Sequence, residues 1–123
     1  MNGSLDGAVR AHAAGSLAAG AAAELLIAGD WLDRDDFAGR FVTVTDSPGS
    51  GLAVAIIGWP AAAAALGQSL PCSGGEQRML RITASLAAGI PVDLRDAAAG
   101  LDGRNARLVA DAMLRASGHR DAR

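Results

Sequence analysis

Apolar side chains recur at helical spacing through Leu17, Leu25 and Ala28, and Leu26 and Ile27 widen the stripe, so one helix is expected from about Leu5 to Ala28. Gly15 and Gly20 weaken its interior by about 1 kcal/mol each relative to alanine, and Gly29 suits its stop. Asp33 is the expected N-cap of a short second helix, with Arg34, Asp35 and Asp36 in the first turn at the positive end of the dipole. Leu32 and Phe37 have the spacing of a hydrophobic staple around that cap.

The period then changes. Arg40–Thr45 and Leu52–Ile57 are rich in β-branched residues and flank the turn sequence Asp46-Ser-Pro-Gly-Ser-Gly51, where Pro48 and Gly49 suit the centre of a type II turn. Together they predict a β-hairpin at about residues 40–58, with Val42 and Val44 on one face of the first strand and Leu52, Val54 and Ile56 on one face of the second. A lone hairpin is marginal in water, so this one is expected to pack on helices or to extend a sheet with another chain.

Helical spacing returns after it. Trp59 and Pro60 open a third helix, with Pro60 at the first position and Gly67 as its end. Ser73 and Glu76 form an S-x-x-E capping box for a longer helix carrying Met79, Ile82, Leu86 and Ile90 on one side and Arg78, Arg81 and Ser85 on another; Gly89 and Pro91 end it. Asp93 caps a short helix, Leu94 to Ala99, closed by Gly100. Asp102 caps the last, whose expected buried stripe is Leu108, Val109, Ala112, Met113 and Ala116. The expected fold is α+β: a mostly α-helical single domain over residues 1–118, with five to six helices and one β-hairpin, and a frayed tail at 119–123.

Composition narrows the function classes. The chain has 123 residues, of which 16 are glycine and 29 alanine, with 11 basic residues, all arginine, against 13 acidic ones for a net charge of −2. Near-neutral charge argues against a general nucleic-acid coat or a polybasic membrane binder. The alanine-rich stretch from Ala8 to Ala28 is broken by Arg10, His12 and Glu24, and its small side chains fall short of the roughly 20 apolar residues of a membrane span. It also lacks the basic start and apolar centre of a signal peptide. A cytoplasmic protein without a membrane partner is expected.

Three stretches, Trp31-Leu-Asp-Arg-Asp-Asp-Phe37, Leu70-Pro-Cys-Ser-Gly-Gly-Glu76 and the run from Met79 to Asp102, resemble a group of small uncharacterised actinobacterial proteins over about residues 24–119. The resemblance implies an intracellular actinobacterial protein and carries no activity and no catalytic residues.

Candidate chemistry is sparse. Cys72, the single cysteine, precedes the capping-box serine, so a helix N-terminus and Arg78 or Arg81 are candidates to stabilise its thiolate. A thiol enzyme also needs a base, and only His12 and His119 are available. The competing reading of Cys72 is a small apolar residue at a loop–helix junction. Asp30, Asp33, Asp35 and Asp36 lack the spacing of a calcium loop and read as capping carboxylates, so no metal and no cofactor are expected. The glycines of the Asp46–Gly51 loop lie between strands and do not open onto a helix, which argues against a phosphate loop.

Leu94–Val109 has the outline of a helix-turn-helix whose second helix would present Arg104, Asn105 and Arg107 to base edges. Residues 72–123 carry 8 Arg against 6 acids, while residues 1–71 carry 3 against 7. The leading expectation is a non-enzymatic interaction protein that self-associates, as a dimer, or binds another protein. The alternatives are a small DNA-binding regulator using Arg104, Asn105 and Arg107, and a thiol-dependent enzyme using Cys72.

Overall fold

The computed structural model describes residues 3–119; residues 120–123, and with them most of the expected tail, lie outside the described residues. Within that range the chain is mostly helical with a single two-stranded antiparallel sheet, in the order α1 (Gly3–Ala13), α2 (Leu17–Ala28), α3 (Asp35–Phe41), β1 (Val42–Asp46), β2 (Ala53–Ile57), α4 (Trp59–Ala65), α5 (Gly74–Ala88), α6 (Leu94–Ala99) and α7 (Gly103–Ala116). The α+β architecture agrees with expectation. The seven α-helices exceed the expected five to six because the first helix is split.

The split falls at residues 14–16. Ser16 takes an extended backbone (φ −141°, ψ 128°) and its hydroxyl accepts a hydrogen bond from the Ala19 amide, giving α2 a start of its own. The break lets α1 fold back onto α2, and Arg10 forms a bidentate pair with Glu24 at 2.8 and 3.1 Å. α2 is then the central element. It packs against α1, α5 and α7 and buries Ala21, Ala22, Ala23, Leu25 and Leu26, so apolar residues are needed around most of its circumference rather than along one stripe.

Two apolar clusters meet at α2. One holds Val9, Leu26, Trp31, Phe37, Phe41, Leu66, Leu70 and Leu80 with the hairpin residue Ala55; the other joins Ala21 and Leu25 to Met79, Ile82, Ala97 and Ala112. Trp31, Phe37 and Phe41 form a tilted aromatic row with ring centroids 5.5 and 5.4 Å apart. The one buried polar side chain among the described residues, Thr83, donates to the Met79 carbonyl at 2.7 Å, so its hydroxyl is satisfied.

Local signals shift by a residue or two. Asp33 does not cap α3: Trp31–Asp33 form a 3-10 turn, Arg34 is the N-cap, and it makes no side-chain cap bond. Leu32 and Phe37 are both buried, but as core residues rather than as a staple set by an Asp33 cap. Gly29 keeps φ −86°, and Asp30 takes the left-handed conformation (φ 60°) instead, which aspartate tolerates better than most residues. Pro60 occupies the second position of α4, behind Trp59. Arg40 and Phe41 finish α3 rather than starting the hairpin, so β1 begins at Val42. Met113 is 55% exposed and leaves the expected stripe of α7, where Ala112 is buried and Leu108, Val109 and Ala116 are half-buried.

Several signals agree with the structure. The Ser73–Glu76 capping box is formed in both directions, Asp93 accepts from the Asp96 amide, and Asp102 accepts from the Asn105 amide at 2.7 Å. Gly89 closes α5 at φ 70°, and Gly49 sits in the hairpin turn at φ 86°, as a type II turn requires. α7 runs antiparallel to α2: Arg104 reaches the Ala28 carbonyl at one end, and Gly118 lies beside Leu17 at the other. Among the described residues no helix is long and apolar enough to cross a membrane.

Candidate functional site

Two regions concentrate the unusual features: a polar cluster around Arg34 next to Cys72, and the hairpin.

The Arg34 side chain leaves the N-cap of α3 and gathers groups distant in sequence. Its Nε and Nη2 donate to both Asp36 carboxylate oxygens at 3.0 and 2.7 Å, Nη2 also donates to the Pro71 carbonyl, and Nη1 lies 3.8 Å from Glu76. The guanidinium covers the Trp31 ring at 4.8 Å from its centroid. Glu76 in turn accepts from the Ser73 amide at 2.8 Å. Arg34 therefore ties the start of α3 to the loop that leads into α5. The Asp36 hydrogen bond holds the guanidinium protonated, and the same bond pushes the Asp36 carboxyl below the usual carboxylate range.

Cys72 sits half-buried at the edge of this cluster, with its sulfur 3.6 Å from the Leu70 carbonyl. Burial pushes its pKa up; the carboxylates of Glu76 and Asp36 act the same way, against Arg34 and Arg81. At neutral pH the group is a thiol, the opposite of what an activated nucleophile requires. His12 lies on α1 at the rim of a cavity of about 150 Å³ lined with Ala22, Ala23, Leu26, Ala55 and Trp59, a different set of residues from the surroundings of Cys72. His119 contacts the Ser117 hydroxyl at 3.2 Å beyond the end of α7. The cavity is smaller than the roughly 300–1,000 Å³ that drug-sized molecules occupy. Among the described residues no group of three or more His, Cys, Asp or Glu could hold a metal ion, Asp30, Asp33, Asp35 and Asp36 included.

Arg104 and Arg107 are exposed and Asn105 is half-buried near the start of α7. α7 packs mainly on α2 and to a lesser extent on α5, while α6 packs on α5, and the two helices of the expected helix-turn-helix meet in the apolar cluster that holds Ala97 and Ala112. Arg104 also directs a donor toward the Ala28 carbonyl (3.4 Å), at the negative end of the α2 dipole.

The hairpin pairs Val42 with Ile57, Thr43 with Ile56, Val44 with Ala55, Thr45 with Val54 and Asp46 with Ala53. Ala55 is buried, and Val42 and Ile57 pack against the core beside it. Ile56, expected to share a face with Leu52 and Val54, turns outward with them and is 41% exposed. α1 packs against β2, whereas the substantial neighbours of β1 are β2 and the helix from which it emerges. Thr43, Val44, Thr45 and Asp46 are all exposed. Sequence reading placed these strands but did not single out Val44. The missing signal was which strand the helices would cover.

Compared with known proteins, the chain matches no family model, no curated protein and no solved structure.

Proposed function

We propose that this protein is a non-enzymatic interaction module that works by self-association, as a dimer in the cytoplasm. The single observation that carries this reading is the uncovered outer edge of β1. A strand whose outward main-chain groups at Val44 and Asp46 have no partner among the described residues, with exposed valine and threonine side chains and no lysine, proline or bulge, is a template for pairing with another chain; at Val42 the amide is already taken by the Ala38 carbonyl. The protonated thiol of Cys72 and the separate surroundings of the two histidines are further support. The actinobacterial setting belongs to the same reading and rests on the motifs at Trp31–Phe37, Leu70–Glu76 and Met79–Asp102.

Light scattering across a wide protein concentration range tests it. A mass rising to that of a dimer supports the proposal, and a monomer throughout refutes it. A second reading, DNA binding through α7, has the exposure of Arg104 and Arg107 in its favour. It requires gel shifts that weaken steeply with salt and are reduced in Arg104→Ala and Arg107→Ala.

A further inference from the structure

We infer that the cavity between α1, α2 and the hairpin is a binding site for one small neutral molecule of about the size of phenol, its ring in the apolar interior and its hydroxyl at the mouth. The inference is independent of the self-association proposed above.

The cavity exists because α1 folds back. That helix forms one wall and is held in place by the Arg10–Glu24 pair; the rest comes from α2, β2, the start of α4 and the end of α5. Val9, Leu26, Ile57 and Trp59 are full-sized and set how far apart these elements lie. The positions between them are the alanines Ala13, Ala19, Ala22, Ala23, Ala55 and Ala87, contributed by four elements, and their methyl groups leave about 150 Å³. Close-packed interiors rarely hold a space larger than a water molecule, so one of this size stands out in a chain of 123 residues.

Volume, charge and polarity define the occupant. A cavity of this volume with aliphatic walls accommodates a single benzene-sized ring. Among the described residues no Asp, Glu or Arg lines it, so an ionised ligand would lose its hydration without gaining a counter-charge. The side chains of the interior, Val9, Ala22, Ala23, Leu26 and Ala55, are each 4% exposed or less and carry no polar atom. Water against such walls finds few partners, and displacing it with an apolar group is favourable. Side-chain polarity is confined to the mouth, where His12 is exposed and Trp59 half-buried. His12 has no hydrogen-bond partner among the described residues, so a ring nitrogen is open to a ligand hydroxyl. A ring bearing one hydroxyl matches this gradient from apolar floor to polar rim.

Titration of phenol into isotope-labelled protein, followed by nuclear magnetic resonance, tests the site, with benzoate and glycerol as the charged and the fully polar counterparts. Phenol is expected to shift the Trp59 indole N–H and the amides of Val9, Ala23 and Ala55 with a Kd of about 1 mM or tighter, while the Trp31 indole in the aromatic row stays in place. Benzoate is expected to bind at least about tenfold more weakly, and glycerol to give no shift. Ala19→Leu on α2 and Ala87→Leu on α5 each fill the cavity with an isobutyl group and are expected to weaken phenol binding at least about tenfold with the helical circular dichroism retained. Both positions are half-buried, and the second variant serves should the first fail to fold. His12→Ala is expected to weaken phenol about threefold and to leave toluene unchanged. Absent phenol shifts, or shifts that persist undiminished in both leucine variants, overturn the site. Benzoate binding as tightly as phenol overturns the neutral ligand.

Discussion

Gly29 and Gly100 offer a sharp test of the packing, because the smaller overlap is expected to have the larger effect. Both have backbone angles open to alanine (φ −86°, ψ 2° and φ −101°, ψ 4°), so strain in the main chain does not enter. A Cβ on Gly29 would stand 2.9 Å from both Cδ1 and Nε1 of Trp31. That indole is only 3% exposed, lies against Phe37, and is covered by the Arg34 guanidinium, so it has nowhere to retreat. Overpacking of this kind costs about 1–3 kcal/mol, offset by about 0.4–1 kcal/mol from the stiffer unfolded chain. The net loss expected for Gly29→Ala is about 1–2 kcal/mol, or about 4 °C in Tm per kcal/mol for a chain of this size. A Cβ on Gly100 would overlap far more deeply with Nε, Cζ and Cδ of Arg78. Those atoms belong to a flexible side chain, and the buried Nε has no hydrogen-bond partner, so swinging it into water sacrifices nothing. Gly100→Ala is expected to lie within about 0.5 kcal/mol of wild type, or to be slightly more stable. Urea unfolding followed by tryptophan fluorescence and circular dichroism measures both variants. If Gly100→Ala loses more stability than Gly29→Ala, the argument that partner rigidity decides the outcome is wrong.

Two further predictions concern titratable groups. The hydrogen bond from Arg10 holds the Glu24 carboxyl below its ordinary value of 4.5, so its stabilising contribution is complete above the unfolded-state range and is lost as pH falls through the folded value. Glu24→Gln is therefore expected to flatten the acid limb of a stability–pH curve, and an unchanged limb in chemical denaturation from neutral pH to about pH 3 counts against the pair. Burial keeps Cys72 protonated, so iodoacetamide at neutral pH is expected to modify it more slowly than a free model thiol, with the ordinary rate restored in denaturant; faster labelling of the folded protein would reinstate the thiol-enzyme reading.

Features written in consecutive residues were legible in the sequence. The Ser73–Glu76 box, the Asp93 and Asp102 caps, and the Gly49 turn depend on contacts within a few positions, and each occurs where its pattern stands. Features decided by distant packing were not. The break at residues 14–16 did have a local signal, Gly15 followed by Ser16 with N-cap chemistry, but the alanine-rich sequence on both sides made one continuous helix the expectation, and the fold-back of α1 onto α2 lay beyond local reading. Asp33 has good capping chemistry, yet the Arg34 guanidinium, fixed by Asp36, Pro71 and Glu76, moves the start of α3 by a residue. Arg34 read as an ordinary first-turn residue because Pro71 and Glu76 lie far along the chain. For Cys72, the sequence located the helix start beside it but not the burial and the neighbouring Glu76 and Asp36 carboxylates that push its pKa up.

The open edge of β1 is better understood through what the core does without. Alanine contributes much of the buried set, including Ala21, Ala22, Ala23, Ala55, Ala62 and Ala65, and such small side chains let elements approach closely while each buries little area. The large apolar residues that could have covered a sheet are drawn to the Trp31–Phe37–Phe41 row and to Leu26 and Leu80. The hairpin anchors itself through Val42, Ala55 and Ile57, leaving Val44 and Ile56 outside. These exposed β-branched side chains do little for the core, but they favour extended backbone and so keep β1 regular along its paired length. Edge strands that must stay single usually carry a charge in mid-strand, a proline or a bulge. β1 carries its one charge at its last residue, Asp46, and pairs without interruption from Val42 onward. A strand that the core does not cover and that its own sequence does not protect is the feature on which the proposed self-association rests.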